Sequence, residues 1–157
     1  MHTPLTTLPS DSFVLQAFEE YITDTQALFD AAVDSQPSDK AEVSYWRRQR
    51  TAFINAQADW LEAGYRPCPT GTGYLFPSSS RPGSLRHRVW QLGGVWVCSC
   101  ESGELGQFHR HTATICVIER AAELEAWAEH EAELKLAARI ASARDRLLRK
   151  MEARVVG

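Results

Sequence analysis

Two short pairs of residues carry the chemistry legible in this sequence: Cys98-Ser99-Cys100 and, eight residues later, His109-Arg110-His111. Two thiolates and two imidazoles make a tetrahedral donor set, and zinc takes such sets in structural sites that leave no position for solvent. The reading is therefore a zinc site of Cys98, Cys100, His109 and His111. In a straight strand, residues two apart point to one face about 7 Å from each other, too far for two sulfurs on one ion, so the chain must curl into a knuckle at Cys98. Histidines two apart face nearly opposite ways in a helix, so His109 is expected just before a helix and His111 in its first turn. Two alternatives stay open at this stage. The His pair can serve only to cap the helix, and without His109 a three-ligand site with a water would admit hydrolysis. Cys68 is a loop thiol or a surplus ligand, Cys116 a small apolar residue within a helix, and His87 a substitute ligand for His109. His2 and His130 read as exposed.

The elements that must position these residues follow from periodicity. Asp11 or Ser12 can cap a helix carrying Val14, Leu15, Phe18, Tyr21, Ile22, Leu28 and Phe29 on one stripe through about Val33. Ser38 or Asp39 can cap a second, running to Gly64 with Val43, Trp46, Phe53, Ala56, Trp60 and Leu61 facing inward. From Tyr65 to Gly83 proline, glycine, serine and threonine predict an extended, turn-rich stretch. Leu85 to Leu92 and Val95 to Cys100 then read as a hairpin turning on Gly93-Gly94. Gly103 and Gly106 loosen the loop that follows. From about Thr112 one long helix is predicted, with a stripe of Val117, Ala121, Leu124, Ala128, Ala132, Leu136, Ile140, Ala143, Leu147 and Met151. Its steps of mostly four do not keep the 3.5-residue period of a left-handed coiled coil, so packing on the other helices is expected. The fold class is α+β, mainly helical: an N-terminal helical hairpin (1–64), a zinc-knuckle β-hairpin unit (65–125), and the continuation of the long C-terminal helix (126–157).

Around the cysteine and histidine pairs the sequence resembles the SWIM zinc finger, whose pattern is Cys-x-Cys, a variable loop and Cys-x-His on a hairpin followed by a helix. The resemblance covers about Tyr74 to Leu124, including the serine-rich stretch Phe76 to Gly83 and the strand His87-Arg88-Val89. Cys98, Cys100 and His111 fall on ligand positions of the pattern, and His109 stands where the family has cysteine. The resemblance implies zinc binding and contact with DNA or with protein, in settings such as recombination, repair and mobile elements.

Charge bears on the partner. Ten acids and four bases occupy residues 1–64, two acids and five bases residues 65–111, and eight of each residues 112–157. All five bases of the middle segment are arginines, which suit bidentate contact with phosphate. Arg81, Arg86, Arg88 and Arg110 are the candidate nucleic-acid-binding residues, with Trp90 or Trp96 available to stack on a base unless it packs the hairpin on the helices, the use expected of at least one of them. Arg47, Arg48 and Arg50 give the second helix a basic face that extends the same surface or is merely solvated. The other function class is an adaptor whose acidic helices bind a protein while zinc holds the fold. No nucleophile–base pair, paired carboxylates or open metal site is legible, so a non-enzymatic role is expected. No apolar run approaches membrane-spanning length and the N-terminus does not read as a signal peptide, so a cytoplasmic protein with four reduced cysteines is expected.

Overall fold

A computed structural model describes residues 5–35, 40–77 and 86–155. The chain divides into two units, Met1–Ala122 and Glu123–Gly157. The described elements run α1 (Asp11–Ser35), α2 (Lys40–Leu61), β1 (Cys68–Thr70), β2 (Gly73–Pro77), β3 (Arg86–Leu92), β4 (Val95–Cys98), α3 (Glu101–Glu104) and α4 (Arg110–Val155). This is the α+β, mainly helical architecture expected, with the helical hairpin and the long C-terminal helix present.

Helix α1 begins one residue earlier than the capping residues expected of it. The Ser10 carbonyl accepts from the amides of Phe13 and Val14, both at 3.1 Å. Asp11 thus lies in the first turn, where a carboxylate suits the helix dipole and also meets Arg66 at 3.5 Å. The caps proposed for α2, Ser38 and Asp39, lie outside the described residues. Val14, Ala17 and Phe18 of α1 are buried together with Ala52, Phe53, Ala56 and Trp60 of α2. Aromatic pairs bind the hairpin: Tyr21 stacks on Phe53 with ring centroids 4.6 Å apart, and Phe18 meets Trp60 edge-on at 6.3 Å. Leu28 and Leu61, placed on the buried stripes by periodicity alone, are exposed. Arg66 lies over the Trp60 ring at 3.8 Å and bonds the Trp60 carbonyl, so this arginine of the cationic segment clamps the end of α2.

The sheet has four strands where a two-stranded hairpin was expected, all antiparallel in the order β1-β2-β3-β4. The extra pair occupies the proline- and glycine-rich stretch. Pro69 is tolerated because β1 is an edge strand, and Pro77 ends β2. Tyr74 and Phe76 alternate inward on β2 and are buried. Gly93 and Gly94, with φ of +60° and +83°, make the tight β3–β4 turn the sequence predicts. Trp96 joins this sheet to α4. Its indole nitrogen donates to Glu119 at 3.3 Å and its ring meets Tyr74 at 5.7 Å.

The first turns of α4 bury Ala113, Ile115, Val117, Ile118 and Ala121. Arg120 donates to Glu20 of α1 at 2.9 Å, and this bond holds the Glu20 carboxyl below its ordinary pKa. The packing expected along the whole stripe is not found: Leu136, Ile140, Leu147 and Met151 are exposed. These positions belong to the unit Glu123–Gly157, whose described residues form only a helix of roughly 1.5 Å rise per residue with no second element to pack on. No described helix is long and apolar enough to cross a membrane.

This division of buried and exposed positions predicts the outcome of urea denaturation. Phe53→Ala, which empties a site between Tyr21 and Phe108, should cost about 3–5 kcal/mol of unfolding free energy, whereas Leu61→Ala should change it by under about 0.5 kcal/mol.

Candidate metal centre and adjoining cleft

The strand β4 ends at Cys98, and Ser99 is where the chain leaves it. The Ser99 amide donates to the Arg88 carbonyl at 2.9 Å, while its hydroxyl accepts from the Arg88 amide at 2.9 Å. Ser99 thus keeps the bend anchored to β3 while Cys100 curls back. The result is the expected knuckle, with the two sulfurs 3.3 Å apart and the Cys100 amide directed at the Cys98 sulfur at 3.5 Å. Cys100 then precedes the single turn of α3. Gly103 in that turn is there for close approach and not for looseness: a Cβ would lie 2.2 Å from the Cys98 carbonyl oxygen and 2.6 Å from its Cβ.

The histidines arrive from the other side. His109 stands immediately before α4 and His111 in its first turn, as expected. The Thr112 hydroxyl accepts from the His109 amide at 3.1 Å and donates to the His109 carbonyl at 2.8 Å, so a threonine supplies the local capping. Both imidazoles are directed at the thiols: His109 Nε2 is 3.0 Å from the Cys100 sulfur and His111 Nδ1 is 3.4 Å from the Cys98 sulfur. His109 Nδ1 lies 2.8 Å from the Gln107 carbonyl. A carbonyl only accepts, so Nδ1 carries the proton and Nε2 offers its lone pair, the usual way a protein orients a histidine ligand.

One ligand atom from each of Cys98, Cys100, His109 and His111 lies within 4.8 Å of every other. That spacing fits donors sharing one ion at bond lengths of about 2.3 Å to sulfur and about 2.0 Å to nitrogen. Burial favours the uncharged form of these groups. Burial pushes the Cys98 thiol up to about 12 and the His111 imidazole down to about 3, and it also lowers His109. Two neutral imidazoles are ready to donate. Two thiolates side by side need a cation to be tolerable, and the four residues together could hold one.

The remaining candidates lie elsewhere. Cys68 is exposed at the start of β1 and Cys116 is half-buried on α4, its thiol raised by burial to about 11; neither belongs to the cluster. The His87 ring lies 5.0 Å from that of His111 but contributes no atom to the four. Arg81 lies outside the described residues, and of Arg86 only the backbone is described. Arg88 follows His87 on the strand and so points to the opposite face, where it meets the Trp90 ring at 5.5 Å and donates to the Thr72 hydroxyl at 3.3 Å. Arg110 pairs with Asp59 at 3.4 Å and lines a cleft of about 590 Å³ beside the cluster. Arg47 and Arg48 of α2 line the same cleft, with Glu101 the one carboxylate among its described lining residues. The sequence offered Arg47 and Arg48 as a basic face; what brings them to the knuckle is the packing of Phe53 on Phe108, 5.5 Å apart.

Comparison with protein-family models, with curated proteins and with solved structures finds no match to this chain.

Metal analysis of the purified chain is expected to give about one ion per molecule, lost in Cys98→Ser and Cys100→Ser and kept in Cys116→Ser and Cys68→Ala. Cys68 should alkylate in the native protein while Cys98 and Cys100 react only after chelation. Gly103→Ala should weaken metal affinity at least about tenfold, because the added methyl displaces Cys98. Acid should have a defined effect on the metal-free fold. His111 is neutral in the folded chain down to about 3 but takes a proton near 6.5 when unfolded, so stability is full above about 6.5 and falls between there and about 3. Thermal melts of the metal-free protein across that range check it.

Proposed function

We propose that the chain is a zinc-stabilised nucleic-acid-binding module of SWIM type with no catalytic role, in which DNA is the favoured ligand. The observation that carries the proposal is the coincidence of two features: four Cys and His ligand atoms within 4.8 Å, and a cleft beside them lined by Arg47, Arg48 and Arg110. Zinc is the ion of choice because Cys2His2 is a closed tetrahedral set that needs neither redox chemistry nor a vacant position. The local Cys-x-Cys and His-x-His resemblance supports the SWIM assignment, with His109 in the place of the family cysteine. In this reading zinc holds the knuckle and the start of α4 as one rigid support. The arginines of the cleft then meet phosphate, while Arg88, directed away from the cleft, would offer a separate contact.

A second reading, that the module is a protein adaptor, is favoured by α1, whose 25 residues carry Asp11, Glu19, Glu20, Asp24, Asp30 and Asp34 and no lysine or arginine. Salt separates the two, because phosphate contacts release counterions.

Arg47→Ala with Arg48→Ala is expected to weaken DNA binding and to flatten its logarithmic salt dependence by roughly one unit per lost phosphate contact, with zinc content and helicity unchanged. Arg86→Ala with Arg88→Ala tests the strand in the same mobility assay. No DNA binding at low salt, or binding indifferent to both double variants, would remove the nucleic-acid reading and leave the adaptor, to be sought on the acidic face of α1.

A further inference from the structure

The unit Glu123–Gly157 is helical throughout its described residues and exposes an apolar stripe that nothing in the proposed function uses. Ala132, Leu136, Ile140, Ala143, Leu147 and Met151 follow steps of four, four, three, four and four. Ala132, Leu136 and Ile140 therefore recur eleven residues later as Ala143, Leu147 and Met151. An eleven-residue repeat gives about 3.67 residues per turn, close to the natural helix, so the stripe runs almost straight along the helix for roughly 30 Å. Leu136, Ile140, Leu147 and Met151 are each more than half exposed, at 57%, 61%, 62% and 63%. A stripe of this regularity is built to face another helix of the same period.

Charge specifies which helix and in which direction. Residues 123–133 contain five glutamates (Glu123, Glu125, Glu129, Glu131 and Glu133) and no lysine or arginine, whereas residues 134–151 contain six bases and a single acid, Asp145. A parallel partner of the same sequence would set acid on acid and base on base. An antiparallel copy sets the acidic part of each helix on the basic part of the other, and one register satisfies both patterns. Centred near Ala138, it places Ala128 opposite Leu147, Ala132 opposite Ala143 and Leu136 opposite Ile140, pairing small with large or like with like. At about 100° per residue, Glu133 and Arg144 lie together along one edge of the stripe, beside Met151. The same edges meet in an antiparallel pair, so Glu133 faces Arg144, a contact occurring twice by symmetry.

We propose that the chain forms a homodimer through antiparallel pairing of α4 along this stripe. Sedimentation velocity of the full zinc-loaded chain over a range of concentrations tests it. A reversible dimer is expected. Leu136→Glu with Ile140→Glu should raise its dissociation constant at least about tenfold without changing zinc content or helicity, since both side chains are exposed in the single chain. Glu133→Arg or Arg144→Glu alone should weaken the dimer about two- to fivefold, and the two together should restore it. Only antiparallel pairing predicts that rescue, because in a parallel dimer Glu133 and Arg144, eleven residues apart on one flank of the helix, do not meet. A monomer at every concentration, a dimer indifferent to the Leu136/Ile140 variant, or a double reversal no tighter than the singles overturns the proposal. Binding of some other protein by a strictly monomeric chain would do so as well.

Discussion

The structure depends on one local constraint: two cysteines from the end of a hairpin and two histidines from the start of a helix have to share a space less than 5 Å across. Burial cannot enforce this. Around the knuckle Leu92, Val95 and Leu105 are exposed, and Cys98 is the one buried residue between Leu92 and Phe108. A metal in a Cys2His2 set contributes folding free energy of about 10–16 kcal/mol in small zinc-finger peptides, comparable with the whole stability of a typical domain at about 5–15 kcal/mol. A bound ion at this position would therefore fix β4, α3 and α4 more firmly than the side chains that cover them.

Around that point the rest of the compact unit works as an aligning frame. Phe76 and His87 flank the His111 ring at 4.8 and 5.0 Å, so the sheet sets the plane of one imidazole of the cluster. Phe53 of α2 reaches Phe108, next to the other. The Arg110–Asp59 pair ties the same turn of α4 to the end of α2, with Asp59 partly desolvated and its pKa raised by burial against the pull of the arginine. Removing one partner would leave the other charge half-buried, which gives this pair more consequence than an exposed ion pair has.

How much of this was legible in the sequence varied with the kind of information each feature needs. The four residues of the cluster were readable because residue type and spacing together define the chemistry, and the placement of His109 before the helix followed from helical geometry alone. The strands β1 and β2 were not, because Pro67, Pro69, Gly71, Gly73 and Pro77 dominate local composition; the alternation of Tyr74 and Phe76 was the surviving signal. Gly103 reads in the sequence as loosening the loop, whereas the Cys98 carbonyl lies against it and leaves no room for a Cβ. The arginines divide for a similar reason. Arg66 is bound to Trp60, Arg88 faces away from the cleft and Arg47 faces into it, which only tertiary packing decides. The stripe on α4 was correctly periodic, but periodicity could not say which of its positions are buried.

X-ray absorption at the zinc edge on the purified chain measures the first coordination shell directly. Two sulfurs at about 2.3 Å and two nitrogens at about 2.0 Å are the predicted result. A protein that folds to full stability without metal, or a shell of oxygen and nitrogen alone, would contradict the account.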